Sequence, residues 1–361
     1  MSVLPPPAAA PLEGALPRAL VEEVGAFVRA GPLHPSLRGA APAAEAWALR
    51  GARAVARLAG EAAAADPSPS RLGRDLAARV YHLYLPVYFW LLAEVNRARA
   101  APGRAGAVLL GLSAPQGCGK TTLVGCLADL FSADGLSCVA VSYDDFYLTG
   151  AEQDAVTERC AGNALLRTRG NAGTHDIALG AATLRALCGA EAGSVPVPGY
   201  DKAARAGRGD RAPRSAWRSA SAPLDVVLLE GWMAGFRQRG DGGVLSATHS
   251  GLPDIDANLT AYVAWEDLVD AWCVVAVDDI ERVYGWRLQA ERAMAAEGRP
   301  GMDDEAVRAF VAGYMPAYEA YCPALWAASA PGGGGLDGKP TLLLCVDGDR
   351  APVELGARHW A

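Results

Sequence analysis

The chain has 361 residues, a formal net charge of −7 at pH 7, and 51% apolar residues. Such a length carries one large α/β domain or two smaller ones, with a core that needs no disulfides. The acidic balance argues against a general nucleic-acid binder, and no apolar run is long enough for a membrane span.

Residues 1–16 are rich in Pro and Ala. They read as a mobile tail, without the charged-then-apolar layout of a secretory signal and poor in the Ser and Arg of a transit peptide. Residues 17–100 read as a helical region packed on the core that follows. Leu20, Val21, Val24, Phe27 and Val28 fall at helical spacing. A second helix is expected over 43–64 and a third over 70–98, kinked at Pro86. The aromatics of this third helix read as core.

From residue 101 to 361 the pattern changes. Short apolar strands are expected at 108–112, 137–142, 225–229, 272–277 and 342–346, alternating with helices at 122–133, 177–187, 262–271, 280–297 and 303–320. That alternation predicts a three-layer α/β fold, its mostly parallel sheet covered on both faces. Residues 194–223 read as one long loop, too long to be idle in a compact domain.

The chemistry centres on residues 107–123, AVLLGLSAPQGCGKTTL. An apolar strand, a loop and a helix start follow in the order of a phosphate-binding loop, with Ala114 where the first glycine is usual. The loop Ala114, Pro115, Gln116, Gly117, Cys118, Gly119, Lys120, Thr121 and Thr122 is expected to bind ATP. Its N–H groups from Gly117 to Lys120 can turn around a phosphate at a helix N-terminus. Lys120 brings charge to the outer phosphates, and Thr121 a hydroxyl for Mg²⁺. Glu230 ends a second apolar strand and suits the magnesium side. Asp144 and Asp145 end a third, where either one can take the proton of an attacking hydroxyl. In open α/β sheets ligands bind beyond the carboxyl ends of the strands, so all three endings should meet in one crevice.

Eight cysteines are scattered with no Cys-x-x-Cys pair and no zinc-ligand spacing. They read as reduced thiols of an intracellular enzyme. Cys118 stands apart because it lies inside the phosphate loop. His175 reads either as a pH switch or as a hydrogen-bonding loop residue. Arg282, Arg287 and Arg292 on one helix read as a solvated face with ion pairs.

Taken together, SAPQGCGKTTL, DDFYLT, RGNAGTHD, GYDKAARAGRGDRA, EGWMAGF and WRLQAE resemble the plant-type D-glycerate 3-kinase family, a relative of uridine kinase, phosphoribulokinase and pantothenate kinase. The likeness covers roughly residues 100–350, in consistent order. It implies phosphorylation of D-glycerate to 3-phosphoglycerate by Mg·ATP, as the last step of photorespiration in the chloroplast stroma. For a non-plastid branch it implies the cytoplasm. By the same resemblance Asp144 activates the hydroxyl, Glu230 serves the magnesium side, Arg287 belongs to a lid over the transferring phosphate, and Asp176 binds substrate hydroxyls.

The acceptor would lie among Asp145, Tyr147, Arg169, Asn171, His175, Asp176, Tyr200, Lys202, Arg208 and Arg211. A carboxylate calls for a guanidinium, which favours Arg211 or Arg208, with Lys202 nearer the phosphates. Arg205 is the weaker choice. A monomer is expected, with small-molecule substrates only. The resemblance also suggests light-driven thiol chemistry, with a redox partner acting on a Cys118 whose pKa is lowered by N–H groups and Lys120. Two alternatives remain: another small hydroxyl acceptor (a nucleoside, pantothenate or a sugar phosphate), or a regulatory protein that hydrolyses ATP slowly.

Overall fold

The computed structural model describes residues 16–37, 41–296, 298 and 301–354. Nearly all of the tail expected over 1–16 therefore lies outside the described residues, as does position 297. The described chain forms two compact units, 16–93 with 351–354, and 94–350.

The first unit is helical. Arg18–Arg29 and Ala44–Ala59 are its longer early helices, burying Val24, Val28, Trp47 and Val55. The long helix expected over 70–98 is broken into Pro69–Leu72, Arg74–Ala77, a π-helical stretch Ala78–Tyr84, and Leu85–Arg99. The irregularity falls one turn before Pro86. Proline has no N–H to give residue 82, and its ring crowds that carbonyl. The ladder widens upstream instead, and the Leu85 N–H donates to the Val80 carbonyl. The aromatics of this helix are core, as expected: Tyr81 and Tyr88 are fully buried, and Phe89 stacks edge-on against Trp47 at 4.4 Å.

The second unit is built on parallel strands. β1 is Val108–Ser113, β2 Cys138–Ser142, β3 Gly193–Val197, β4 Tyr200–Asp201, β5 Asp210–Arg211, β6 Arg218–Ala222, β7 Val226–Gly231, β8 Ala271–Val277 and β9 Thr341–Val346. This unit supplies neighbouring sheet strands in the order β9-β8-β1-β7-β2, all parallel. Val226 to Leu229 have no exposed surface, and neither do Val108 to Leu110. Each such side chain contributes about 1.5–3 kcal/mol on burial. That is why continuous apolar runs, not alternating ones, mark these strands.

Register then places the chemistry. Ser113 is level with Gly231, and Ser142 with Glu230. The carboxyl ends of β1, β7 and β2 therefore lie side by side at one edge. The five expected strands are all present, although Ala271 opens β8 and does not close the preceding helix.

The loop expected over 194–223 has its own structure. β3 and β6 pair antiparallel, Gly193 with Ala222 through Val197 with Arg218. β4 and β5 pair within them, Tyr200 with Arg211 and Asp201 with Asp210. The result is one long two-stranded arm. Val195 and Val197 are its only aliphatic strand residues larger than Ala, Ser and Ala fill most of β6, and β4 and β5 have two residues each, so the period-2 signal is too short to mark them.

Candidate active site

The phosphate loop turns on two glycines. Gly117 has φ 81° and Gly119 has φ 93°, and Gly119 caps the helix Lys120–Ala133. A Cβ on Gly117 would also fall 2.6 Å from Cβ of Trp286. Ala114 is 2% exposed and is absent from the positive-φ positions, so a methyl fits there where the pattern expects glycine. Thr121 and Thr122 stand exposed on the first helical turn. The Lys120 Nζ lies 2.9 Å from Glu230 Oε2. Burial works against the lysine's charge, but Glu230 outweighs it and raises the Lys120 pKa. The loop is braced from outside: Arg350 Nε donates to the Gly117 carbonyl at 2.7 Å, and the Tyr318 hydroxyl accepts from the Gln116 N–H at 2.9 Å.

Beside it, β2 ends in a short 3₁₀ turn, Tyr143–Phe146. The turn separates the two acids. Asp145 bends back to accept the Ser142 N–H at 2.9 Å and meets Arg218 at 3.0 Å. Its pKa is raised by burial, against the pull of Arg218. Asp144 points the other way, to Lys202 Nζ at 2.5 Å and the Tyr147 hydroxyl. Burial alone would raise its pKa, but Lys202, then Lys120 and Tyr147, bring it down to about 2. Asp144 is therefore ionised, and its charge is felt at Lys120 across the crevice.

The arm carries the cations to these acids. Lys202 reaches Asp144, Arg218 reaches Asp145, and Arg211 reaches Asp176 at 3.0 Å and the Tyr147 carbonyl at 3.0 Å. Asp176 also caps the helix Ile177–Gly189 by accepting the Leu179 N–H. The Arg211 side chain is 15% exposed, and its buried Nε has no hydrogen-bond partner among the described residues. Arg208 differs: it is 54% exposed and shares Asp154 with Arg205.

Arg169 lies over the Tyr200 ring at 5.4 Å and donates to the carbonyls of Gly207 and Arg208. Asn171 donates to the Leu165 and Gly313 carbonyls, and its buried Oδ1 has no partner among the described residues. Tyr147 stacks on His175 at 4.6 Å and meets Tyr200 edge-on at 5.1 Å. His175 is buried with Nδ1 2.6 Å from the Tyr262 hydroxyl. Burial lowers its pKa to about 3, which removes the pH-switch reading. It is a neutral hydrogen-bonding residue behind Tyr147.

Arg287 pairs with Glu291 one helical turn on and stands over the Phe310 ring at 4.8 Å. Arg282 and Arg292 pair with Asp278 and Asp304, so the ion-paired face expected of this helix is present. The low thiol pKa expected at Cys118 is not. Burial pushes the thiol up to about 11, and Lys120 offsets only part of that.

Five residues of the site had been given no role of their own from the sequence: Arg218, Tyr314, Tyr318, Glu266 and Arg350. The Glu266 carboxylate accepts from the Tyr143 hydroxyl at 3.0 Å and the Gly235 N–H at 2.7 Å. It thereby supports both the Asp144 turn and the segment after Glu230. None of the five lies in a local pattern; only their distant partners reveal them.

No family model matches the chain. It is 43% identical over 282 residues to the chloroplastic D-glycerate 3-kinase of Arabidopsis thaliana, covering 76% of this chain and 61% of that protein. An uncharacterized kinase of Schizosaccharomyces pombe is 37% identical over 59% of this chain and 80% of its own length. The solved structure of D-glycerate 3-kinase from Cryptococcus neoformans superposes with a TM-score of 0.65 at 29% identity, covering 75% of this chain and 97% of that one. With the phosphate loop, the two acids of the 3₁₀ turn and the cationic arm in one unit, the chain belongs to the phosphate-loop kinases, in one family with the Schizosaccharomyces pombe kinase.

Proposed function

We propose that the protein transfers the γ-phosphate of ATP to the 3-hydroxyl of D-glycerate, giving 3-phosphoglycerate and ADP. The observation that carries this reading is the facing pair of half-sites. Lys120 and Glu230 stand on one side, an ionised Asp144 on the other, each within electrostatic reach of the other.

In the reaction the hydroxyl oxygen forms a bond to the γ-phosphorus, the bond to the ADP oxygen breaks, and the hydroxyl proton passes to Asp144. A carboxylate with a pKa of about 2 is a weak base. Phosphoryl transfer asks little of its base, because the transition state is loose and the attacking oxygen needs aim more than charge. Asp144 supplies that aim. Asp145, occupied by Ser142 and Arg218, holds the turn.

Arg211 is the cation for the glycerate carboxylate. It is the less exposed of the two guanidiniums considered, and it keeps one buried N–H without an acceptor among the described residues. Asp176 and Asn171 serve the hydroxyls, Tyr200 and Arg169 close the pocket, and Tyr147 with His175 behind it forms the wall. Arg287 serves the transferring phosphate from its helix.

Thr121 and Glu230 suit Mg²⁺, which binds through one or two protein oxygens together with substrate phosphates and water. When bound, the ion would neutralise charge on the β- and γ-phosphates. The reading extends to a plastid setting, supported by the chloroplastic relative, and, through the family resemblance, to a photorespiratory role.

A purified-protein assay tests the activity. Small hydroxy acids, nucleosides, pantothenate and sugar phosphates are scanned for ADP release, and the phosphorylated carbon is identified. ADP release with a nucleoside but not with D-glycerate, or 2-phosphoglycerate as product, overturns the reading. ADP release independent of any acceptor would indicate a slow ATPase.

A further inference from the structure

One segment touches the phosphate loop, the loop of Arg169 to Asn171 and the stretch after Glu230 without belonging to any motif. It runs from Gly313 to Tyr318, across the start of the helix Met315–Ser329. Tyr314 is 6% exposed, and its hydroxyl donates to the Arg169 carbonyl at 3.2 Å. Its ring fills the space that a side chain at Gly170 would need, and Gly170 has φ 137°. The Gly313 carbonyl accepts from Asn171 Nδ2 at 2.9 Å. These contacts hold the acceptor loop.

One helical turn on, the Tyr318 hydroxyl accepts the Gln116 N–H of the phosphate loop, and the Gln116 side chain lies against the Tyr314 hydroxyl. Residues i and i+4 share a helix face, so both tyrosines look the same way. Trp232, two residues after Glu230, stands edge-on to both rings, at 5.3 Å and 4.9 Å. Its indole N–H donates to the Gly170 carbonyl at 3.2 Å. Phe310, under Arg287, lies 5.1 Å from the Tyr314 ring.

We propose that Tyr314 is a positioning residue that couples the two half-sites, so that nucleotide in the phosphate loop tightens acceptor binding and acceptor tightens nucleotide to the same degree. The acceptor named here rests on the glycerate reading above. Gln116 and Arg169 are far apart in sequence and share this one packed segment. A small displacement of Gln116 is passed through Tyr318 to the rigid helix start, and through Tyr314 to the carbonyl of Arg169. Packed interiors transmit such shifts because they have no slack to absorb them. Reciprocity follows from linkage, whatever the path.

Calorimetric titration with D-glycerate tests this, on wild type and Tyr314→Phe, each with and without a saturating non-hydrolysable ATP analogue. Phenylalanine keeps the ring beside Gly170 and removes only the hydroxyl. Wild type should bind glycerate at least about fivefold tighter with the nucleotide present. In Tyr314→Phe that ratio should fall to within about twofold of unity, with affinity for the analogue alone unchanged. Tyr318→Phe, which cuts the same path at the phosphate loop, should lower the ratio too. A merely structural role would weaken both titrations together and leave their ratio intact. An equal ratio in wild type and Tyr314→Phe overturns the proposal, and so does a wild-type ratio of one. If wild type binds no glycerate in either state, the acceptor reading has failed. The ratio is then measured with the acceptor that the ADP-release scan identifies, and the same two outcomes decide the coupling.

Discussion

At the phosphate loop, Gly117, Gly119 and Lys120 are consecutive or nearly so, and their geometry is set by backbone dihedrals and one helix start. Across the crevice the proposed acceptor side gathers Asp144, Arg169, Asp176, Lys202 and Arg211 from three separate segments, held together by ion pairs and, for Arg169, by hydrogen bonds to the arm's carbonyls. The first side depends on what the main chain can do, so a methyl at Ala114 is harmless where the backbone allows it. The second depends on side chains whose loss leaves a charged partner uncompensated. Mutations on the two sides should therefore fail differently. Nucleotide-side changes should reduce turnover with any acceptor. Acceptor-side changes should act on glycerate alone.

The largest effects should come where the two sides meet. Lys120→Ala removes the cation from the outer phosphates, and kcat should fall by at least about 10²–10³-fold. The fold should survive, because Lys120 acts on phosphate charge. Asp144→Asn keeps shape and loses basicity, and kcat should fall by about 10²-fold or more with nucleotide affinity little changed. Steady-state kinetics beside a thermal melt measure both. A larger loss in Asp145→Asn than in Asp144→Asn would reverse their roles.

Next comes Arg211→Ala. A charge-assisted contact costs about 1.5–3 kcal/mol when lost, or roughly 10- to 100-fold in glycerate kcat/KM. The KM for ATP should stay within about twofold. Equal losses for both substrates would mean that Arg211 shapes the crevice as a whole and does not select the acid.

Lys202 allows the electrostatics to be read directly. Its contact depresses the Asp144 pKa to about 2, against the upward push of burial. Asp144 thus stays ionised down to strongly acid pH, and activity that needs the carboxylate is lost only below that point. Lys202→Ala removes the chief downward influence while burial remains, so the Asp144 pKa rises. The acid limb of the kcat/KM profile should then move up by about one pH unit or more. Well above the limb the carboxylate is ionised in both proteins, so rates there should differ far less. An unmoved limb would mean that the limb reports another group.

The same contrast explains what could be read before the fold was seen. The five parallel strands show as unbroken apolar runs because both faces of the sheet are covered, and the phosphate loop shows because its parts are contiguous. The convergence of β1, β2 and β7 follows from the rule that parallel strands deliver their ligands at one edge. The arm escaped because its strands offer only Val195 and Val197 as larger aliphatic residues and β4 and β5 have two residues each, so it read as loop. The choice between Asp144 and Asp145 could not be made from adjacency. The preference for Asp144 rests on the Ser142 cap and on Arg218, distant in sequence, which together occupy Asp145. Tyr314 and Tyr318 look like core aromatics of any helix until Gln116 and Arg169 are seen beside them. Cys118 was misjudged because proximity to Lys120 is visible in sequence and burial is not.

The smallest expected effect belongs to Arg208, and it sharpens the acceptor side most. Arg208 and Arg211 flank the same Gly209-Asp210 dipeptide, so sequence alone makes them equal candidates for the carboxylate. They point to different places. Arg208 is half exposed and leans on Asp154, which Arg205 already holds. Arg205 and Ala206 take positive φ at the tip of the arm, with φ 54° and 57°, and the Asp210 carboxylate accepts the Gly150 N–H at 2.7 Å. The tip is thus fastened to the helix Gly150–Arg159 at several points, and removing one exposed cation leaves the others in place. Exposed ion pairs of this kind contribute little, so Arg208→Ala should change glycerate kcat/KM by less than about threefold. Arg205→Ala should behave alike, and the double variant should lose more than the two single effects combined, because only then is Asp154 left without a guanidinium. Glycerate kinetics at saturating ATP measure all three beside Arg211→Ala. A loss of tenfold or more in Arg208→Ala, with Arg211→Ala near wild type, would move the carboxylate to the tip of the arm and reduce Arg211 to a partner of Asp176.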